Sequence, residues 1–331
     1  MLSLRNKLLR QDIHVPILSF IRNKRYIFPE VNKSLEEKLA EFNAVDESLH
    51  FKVDIGFPPR PNPSVKELNT RRKYINEQRK NAELEKKSRH LQLNLDLQKI
   101  KEEWWKGVGP AQIHRLAEHY QIFKHLFGEA YFMPLINMDI YYPQKDEKLV
   151  APVYWGNIVT PTEAFSQPQV KFESNPDELW SLTLVNPDAH FDEPDMEYIH
   201  WMVGNIPGGD IEKGEIIWDY LPPFPPRGIG YQRLIFVLYK QEKKISYSKL
   251  KKKVPCLELK DRSFKTLEFY RERQDKLTPA GLSFFQCNWD PTARKIFHEI
   301  LNMEEPIFEY DFDPQPLRKQ TAFPSKESFN M

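Results

Sequence analysis

Two segments concentrate the residues able to do chemistry. LTLVNPDAHFDEPDMEYIHWMVGNIPG spans 182–208 and DYLPPFPPRGIGYQRLIFVLYKQ spans 219–241. The first reads as a strand, an acidic loop opened by Asn186-Pro187-Asp188, and a second strand carrying His200. The second reads as a rigid proline loop closed by Gly228 and Gly230, then a strand opened by Gln232-Arg233. Such loops would present Asp188, His200 and Arg233 around a small concavity. A carboxylate, an imidazole and a guanidinium beside glycine backbone suit a phosphate or a carboxylate.

Other chemistry-bearing residues read more plainly. No G-x-G-x-x-G, G-K-[ST], H-E-x-x-H or G-x-S-x-G occurs, and no nucleophile–base pair is visible, so no catalytic residue, cofactor or metal ligand is expected. His114 and His119 are five apart and do not share a helix face as metal ligands would. With His125 they read as solvent-face histidines. The acids Asp192, Glu193, Asp195 and Glu197 read as a solvated loop. Lys243, Lys244, Lys249, Lys251, Lys252 and Lys253, interleaved with Tyr247, form the strongest local basic patch and are candidate phosphate contacts. Cys256 and Cys287 have no disulfide-framework or metal spacing and read as two buried thiols of a reducing compartment.

The elements that position these residues follow from pattern. The chain has 331 residues with 48 Lys and Arg against 47 Asp and Glu, so net charge points to neither nucleic acid nor membrane, and only local clusters can. No apolar run approaches the roughly 18 residues that span a bilayer. The start is acid-poor, with Arg5, Lys7, Arg10, Arg22, Lys24 and Arg25 among leucines, which is the character of an organelle transit peptide. Its cleavage is left open. FPPRPNP at 57–63 is a proline-rich linker. Ser64 and Glu67 then form a capping box, and the proline- and glycine-free run to about Trp105 predicts one helix of about 60 Å. Its apolar stripe is thin. A solvated or coiled-coil arm and an arm crossing an RNA–protein particle both fit these residues. A second helix runs from Pro110 to Gly128, with Ile113, Leu116, Ala117, Tyr120, Phe123 and Leu126 on one face.

After it come short β-branched and aromatic runs: MDIYYP, VAPVYW, WSLTLVN, IHWMVGNI and LIFVLYKQ. They argue a mainly β protein, a β-sandwich with peripheral helices, preceded by a long helical N-terminal extension. Helical pattern returns at 263–273 and 291–303. The expected division is a basic extended segment and linker at 1–63, the helical extension at 64–128, the β domain at 129–303 and an extended tail at 304–331.

Both chemistry-bearing segments, with GLSFFQCNWD at 281–290, resemble the phosphatidylethanolamine-binding protein family over roughly residues 130–300. The family's first motif is a strand followed by Asp-Pro-Asp-Ala-Pro, then a strand histidine. Its second is a proline–glycine loop followed by Gly-x-Gly-x-His-Arg. The resemblance implies that fold and an anion pocket, and the departures bear on function. The family's first pocket Asp stands here as Asn186, and its histidine before the arginine as Gln232, while Asp188, His200 and Arg233 are kept. One acid and one imidazole have become amides, which keep shape and hydrogen bonding and lose charge. The five residues are therefore expected to form a vestigial anion pocket, with a retained small-ligand site as the alternative.

EPDMEYIHW, YLPPFPPRG, LTPAGLSFFQCNWD and MEEPIFE resemble more closely the branch of that family found in the mitochondrial large ribosomal subunit. That resemblance implies a non-catalytic structural constituent at the central protuberance of the subunit, in the mitochondrial matrix. Its partners would be large-subunit ribosomal proteins and ribosomal RNA. RNA-phosphate contacts are then expected from Arg5, Lys7, Arg10, Arg22, Lys24, Arg25, Lys249, Lys251, Lys252 and Lys253. The alternative function is that of a small anionic-ligand binding or inhibitor protein.

Overall fold

The computed structural model describes residues 34, 52–58, 64–144 and 149–308. Most of the basic segment 1–63, including Arg5, Lys7, Arg10, Arg22, Lys24 and Arg25, and the tail from 309 onward lie outside the described residues.

A large sheet carries the fold. Its principal strands are β7 (Leu179–Asn186), β8 (Glu197–Pro207), β10 (Gln232–Gln241) and β12 (Leu277–Cys287). They run antiparallel in the order β8-β7-β10-β12. Short strands β9 (Glu215–Trp218) and β11 (Ser263–Phe264) pair with β8, and β5 (Trp155–Ile158) pairs parallel to β12 at the far edge. A second sheet has β3 (Met138–Pro143) between β4 (Val150–Val153) and β6 (Gln169–Phe172). A two-residue pair, β1 (Val53–Asp54) with β2 (Ala130–Tyr131), stands apart.

Period-two alternation sends neighbouring residues of one strand into different cores. In β10, Leu234, Phe236 and Leu238 pack with Met138, Ile140, Tyr142 and Val153 of the small sheet, giving the expected sandwich. Ile235, Val237 and Tyr239 point the other way and pack with Ile113, Ala117, Phe123 and Phe127. Both faces of the central strands are thus covered, which is why these runs are apolar throughout rather than alternating with polar residues.

The covering residues belong to α4 (Gly109–His119) and α5 (Ile122–Phe127). Sequence pattern predicts one helix here. Gln121, at φ +54°, interrupts it, and the pair forms a tight hairpin. The run 64–105 departs likewise from the single long helix expected. It forms α1 (Val65–Arg79), α2 (Ala82–Arg89) and α3 (Leu97–Gly107). The Ser64–Glu67 capping box is present as read. Asn81 then caps α2, accepting from the backbone of Glu83 and Leu84, and Asp96 caps α3 through Gln98 N. Short polar side chains satisfy the free N–H groups of a new helix better than they serve a helix interior. No residue of α1 or α2 is buried.

At the C-terminal end, the helix expected over 263–273 begins as strand β11 and becomes α6 (Thr266–Arg271). That expected over 291–303 is α7 (Pro291–Lys295) running into a π-turn, Ile296–Ile300.

Candidate functional site

Asn186 ends β7 and Gln232 begins β10, so the two amides meet where the central strands diverge. Asn186 Nδ2 donates to Gln232 Oε1 at 3.1 Å, and both residues are buried. Asn186 Oδ1 also accepts from Asp188 N at 3.0 Å, closing an Asx turn that aims the Asp188 carboxylate back at β10. There Oδ2 accepts from Arg233 N at 2.9 Å and from Arg233 Nε at 2.8 Å, and Oδ1 pairs with Nη2. The geometry is a fork-on-fork ion pair.

Both terminal nitrogens of Arg233 reach the helical hairpin as well. Nη1 donates to the Tyr120 carbonyl, and Nη2 lies 2.8 Å from His125 Nδ1. Tyr120 ends α4 and His125 lies on α5, so the turn of the helical hairpin sits directly on the guanidinium. Partial burial, helped by the Arg233 charge, holds the His125 pKa below its ordinary value. A neutral ring accepting through Nδ1 is what that contact requires. Tyr120 is itself fixed by its hydroxyl, which accepts from Gln286 Nε2 at 3.0 Å.

His200 stands apart from this group. Its ring is fully buried, its Nδ1 lies 2.9 Å from the Leu221 carbonyl, and its Nε2 has no partner. It packs on Phe224 at 5.2 Å. Burial pushes its pKa down to about 4. Among the described residues no hydrogen bond or ion pair joins it to Asn186, Asp188, Gln232 or Arg233. The structure therefore joins those four into one network and does not bring His200 into it. A cleft of about 320 Å³ lined by Arg227, Gly228, Gly230, Asn288 and Trp289 opens in the neighbouring proline–glycine loop.

Other sequence-based assignments change. His119 and His125 are exposed, as expected, although His125 also contacts Arg233; His114 departs from that reading, packing between Phe123 and Tyr131 with Nε2 buried. Glu197 is no solvated-loop acid: it is 3% exposed and accepts from Thr266 N at 3.1 Å and from its hydroxyl. Burial raises its pKa to about 7. In the lysine patch, Lys251 pairs with Glu215 and Lys252 with Asp261, while Lys249 and Lys253 are exposed. Tyr247 does not share that surface, because it is buried with its hydroxyl on Ser181 Oγ. Both cysteines are buried, as expected, and burial raises both thiol pKa values. Among the described residues no group of three His, Cys, Asp or Glu could hold a metal, and no helix is long and apolar enough to cross a membrane.

Sequence reading missed Arg262. Its side chain is fully buried and donates to the carbonyls of Cys256, Ile199, His200 and Asp219 and to Asp219 Oδ1 at 2.7 Å. It ties the 256–262 loop to β8 behind His200. A lone arginine in the loop run LELKDRSF gives no periodic signal by which this could be seen.

Residues 156–273 match the model of the family described as phosphatidylethanolamine-binding protein. A putative odorant-binding protein A5 of Drosophila melanogaster is 28% identical over 152 residues, 45% of this chain and 71% of that protein. A solved carboxypeptidase Y inhibitor, complexed with its cognate proteinase, is 20% identical with a TM-score of 0.45, covering 55% of this chain and 97% of the other. The phosphatidylethanolamine-binding protein of Plasmodium vivax is 20% identical with a TM-score of 0.40, covering 53% and 97%. The chain has the phosphatidylethanolamine-binding protein fold, a mostly sheet core with helices, and residues 156–273 match that family's model.

Proposed function

We propose that this chain is a non-catalytic docking protein with a vestigial anion pocket, and that the assembly it joins is the mitochondrial large ribosomal subunit. The observation that carries the first part is that every guanidinium nitrogen of Arg233 is bonded within the chain. Its guanidinium and backbone N–H are bonded to Asp188, Tyr120 and His125, all from the chain itself. The amide pair Asn186–Gln232 fills the place where the family keeps an acid and an imidazole. An anion entering here would meet a guanidinium whose three nitrogens are each already bonded within the chain, and no charge at either amide. The ribosomal partner is supported by the resemblance of EPDMEYIHW, YLPPFPPRG, LTPAGLSFFQCNWD and MEEPIFE to the mitochondrial branch of the family. The interface would then lie on the outer surface and the extensions.

A second reading is favoured by the relatives: a family named for binding phosphatidylethanolamine, and a putative odorant-binding protein. On it, Asp188, His200 and Arg233 would hold a small anionic ligand. Fractionation of mitochondrial extract with mass spectrometry separates the two. The docking reading expects the chain in the large-subunit peak after high-salt washing; a wholly free monomer overturns it. The ligand reading expects phosphorylethanolamine to bind the purified chain, with binding lost in His200→Ala; no binding, or binding unchanged by that substitution, overturns it.

A further inference from the structure

The charge of this chain is balanced as a whole and unbalanced locally, and the helical run from Ser64 is one such place. Residues 64–90 hold nine lysines and arginines against four glutamates, a net +5, where the full chain is +1. The excess is ordered. Basic doublets recur every seven residues: Arg72-Lys73, Arg79-Lys80 and Lys86-Lys87. On α1, with 3.6 residues per turn, positions 66, 72, 73, 79 and 80 fall within about 140° of one another, and the two α1 doublets lie about 10 Å apart along the axis. None of these five side chains has an ion-pair partner among the described residues, and all five are exposed. Of the two α1 glutamates, Glu67 is spent on the Ser64 capping box. The helix is thus held at its start by its own cap and buries none of its residues against the rest of the chain.

An exposed helix of this kind serves either a helical protein partner or a polyanion, and the spacing decides between them. Leu68, Ile75 and Ala82 give one apolar residue per heptad. A coiled-coil seam needs two, the second three or four residues on. The positions four on are Arg72, Arg79 and Lys86, which put charge where the seam would close. We propose that α1 binds the phosphate backbone of structured RNA through Lys66, Arg72, Lys73, Arg79 and Lys80, with the Lys86-Lys87 doublet of α2 continuing the contact. The inference rests on the docking reading and gives it a named surface. Asn69 and Asn76 fall within the same arc and add neutral donors between the doublets, but the cations dominate the face, so recognition is led by backbone charge.

The test uses the full chain and a fluorescein-labelled RNA duplex of about 20 base pairs, followed by anisotropy across a potassium chloride series. The substitutions Arg72→Gln, Lys73→Gln, Arg79→Gln and Lys80→Gln are made together. All four positions are exposed, so the melting temperature should not move. The wild-type chain should show a steep fall of log K with log salt. The quadruple variant should lose roughly 3 to 4 from that slope and more than about a hundredfold in affinity near 0.1 M salt. Lys249→Gln with Lys253→Gln, on the separate patch, should leave most of the slope in place. Duplex affinity unchanged in the quadruple variant, or abolished by the Lys249 and Lys253 pair alone, overturns the assignment to α1. Sedimentation of the wild-type chain with the large subunit is scored independently. A chain that co-sediments while its quadruple variant binds duplex normally keeps the docking reading and loses this one.

Discussion

Substituting Arg233 with alanine asks whether its guanidinium is structural or held for a ligand. Its side chain is 13% exposed and that of Asp188 25% exposed. Removing the guanidinium leaves the Asp188 carboxylate without a cation, and leaves the Tyr120 carbonyl and His125 Nδ1 without their donor. Breaking a fully buried pair costs about 3–5 kcal/mol, and the residual exposure of Asp188 lowers that to roughly 3 kcal/mol. For a domain of this size that is a fall of roughly 6–12 °C in melting temperature. Urea titration at constant m-value measures it directly. The double variant Asp188→Ala, Arg233→Ala should lose less than the sum of the single variants, by roughly 2 kcal/mol, because neither charge is then stranded. A loss below about 0.5 kcal/mol for Arg233→Ala, or strict additivity in the cycle, would mean that the network does not commit the guanidinium. The docking reading would then lose its main support, and an anion site at Arg233 would be the better account.

Three further outcomes follow from the packing. Glu197 titrates at about 7 when folded against an ordinary 4.5, so the folded state holds a proton that the unfolded chain releases, and stability falls by roughly 3 kcal/mol as pH rises through that window. His200, at about 4 against 6.5, does the reverse, adding stability as pH rises from about 4 to 6.5. Glu197→Gln should therefore remove that decline, so that variant stability rises relative to wild type between about pH 4.5 and 7, as read by denaturation at a series of pH values; a variant profile parallel to wild type refutes the assignment. Arg262→Met should cost at least about 3 kcal/mol by stranding Asp219 and four carbonyls, and Arg262→Lys should recover little of it, because an ammonium cannot span the fork; full recovery by lysine in thermal melts counts against that geometry. Gly204→Ala places a methyl 2.4 Å from Tyr247 Cε2 and 2.8 Å from Ile217 Cδ1, and should cost about 1–3 kcal/mol in the same melts; no change would mean that the 245–250 segment yields freely.

How much of this was legible in the sequence depended on the range of the interactions involved. The central strands were legible because β-branched and aromatic runs specify them locally, and the Ser64 cap because its signal spans four residues. The helix breaks at Asn81 and Asp96 were not, since asparagine and aspartate are tolerable inside a polar helix and become caps only when the backbone turns there. The loss of an acid and an imidazole at Asn186 and Gln232 could be read from the motif. The closing of the site could not, because Tyr120 and His125 lie 113 and 108 residues from Arg233 and no local pattern connects them. Glu197 failed for the same reason: the Thr266 that receives it is 69 residues away. Tyr247 looked like part of a basic surface because lysines flank it, yet its ring faces the core and only the lysines face out.

The same network bounds what the pocket can still do. A ligand that used Arg233 would first have to detach it from Asp188, Tyr120 and His125. If that costs roughly 3 kcal/mol, the competent state is under about 1% populated, and apparent affinity is weaker by roughly two orders of magnitude than the intrinsic contact would give. Asn186 and Gln232 could offer hydrogen bonds in return but no charge, and they are already bonded to each other and to the Asp188 backbone. A site whose arginine is held by its own carboxylate, imidazole and carbonyl is stabilised at the expense of binding, which is the usual direction of that exchange. The α4–α5 hairpin that closes the pocket is held in the core through Ile113, Ala117, Ile122, Phe123, Leu126 and Phe127, so the closure is anchored by apolar burial and not only by the hydrogen bonds at its tip. Selection on this chain would then act on surfaces that remain exposed, and α1, capped, basic and burying none of its residues, is one of these among the described residues.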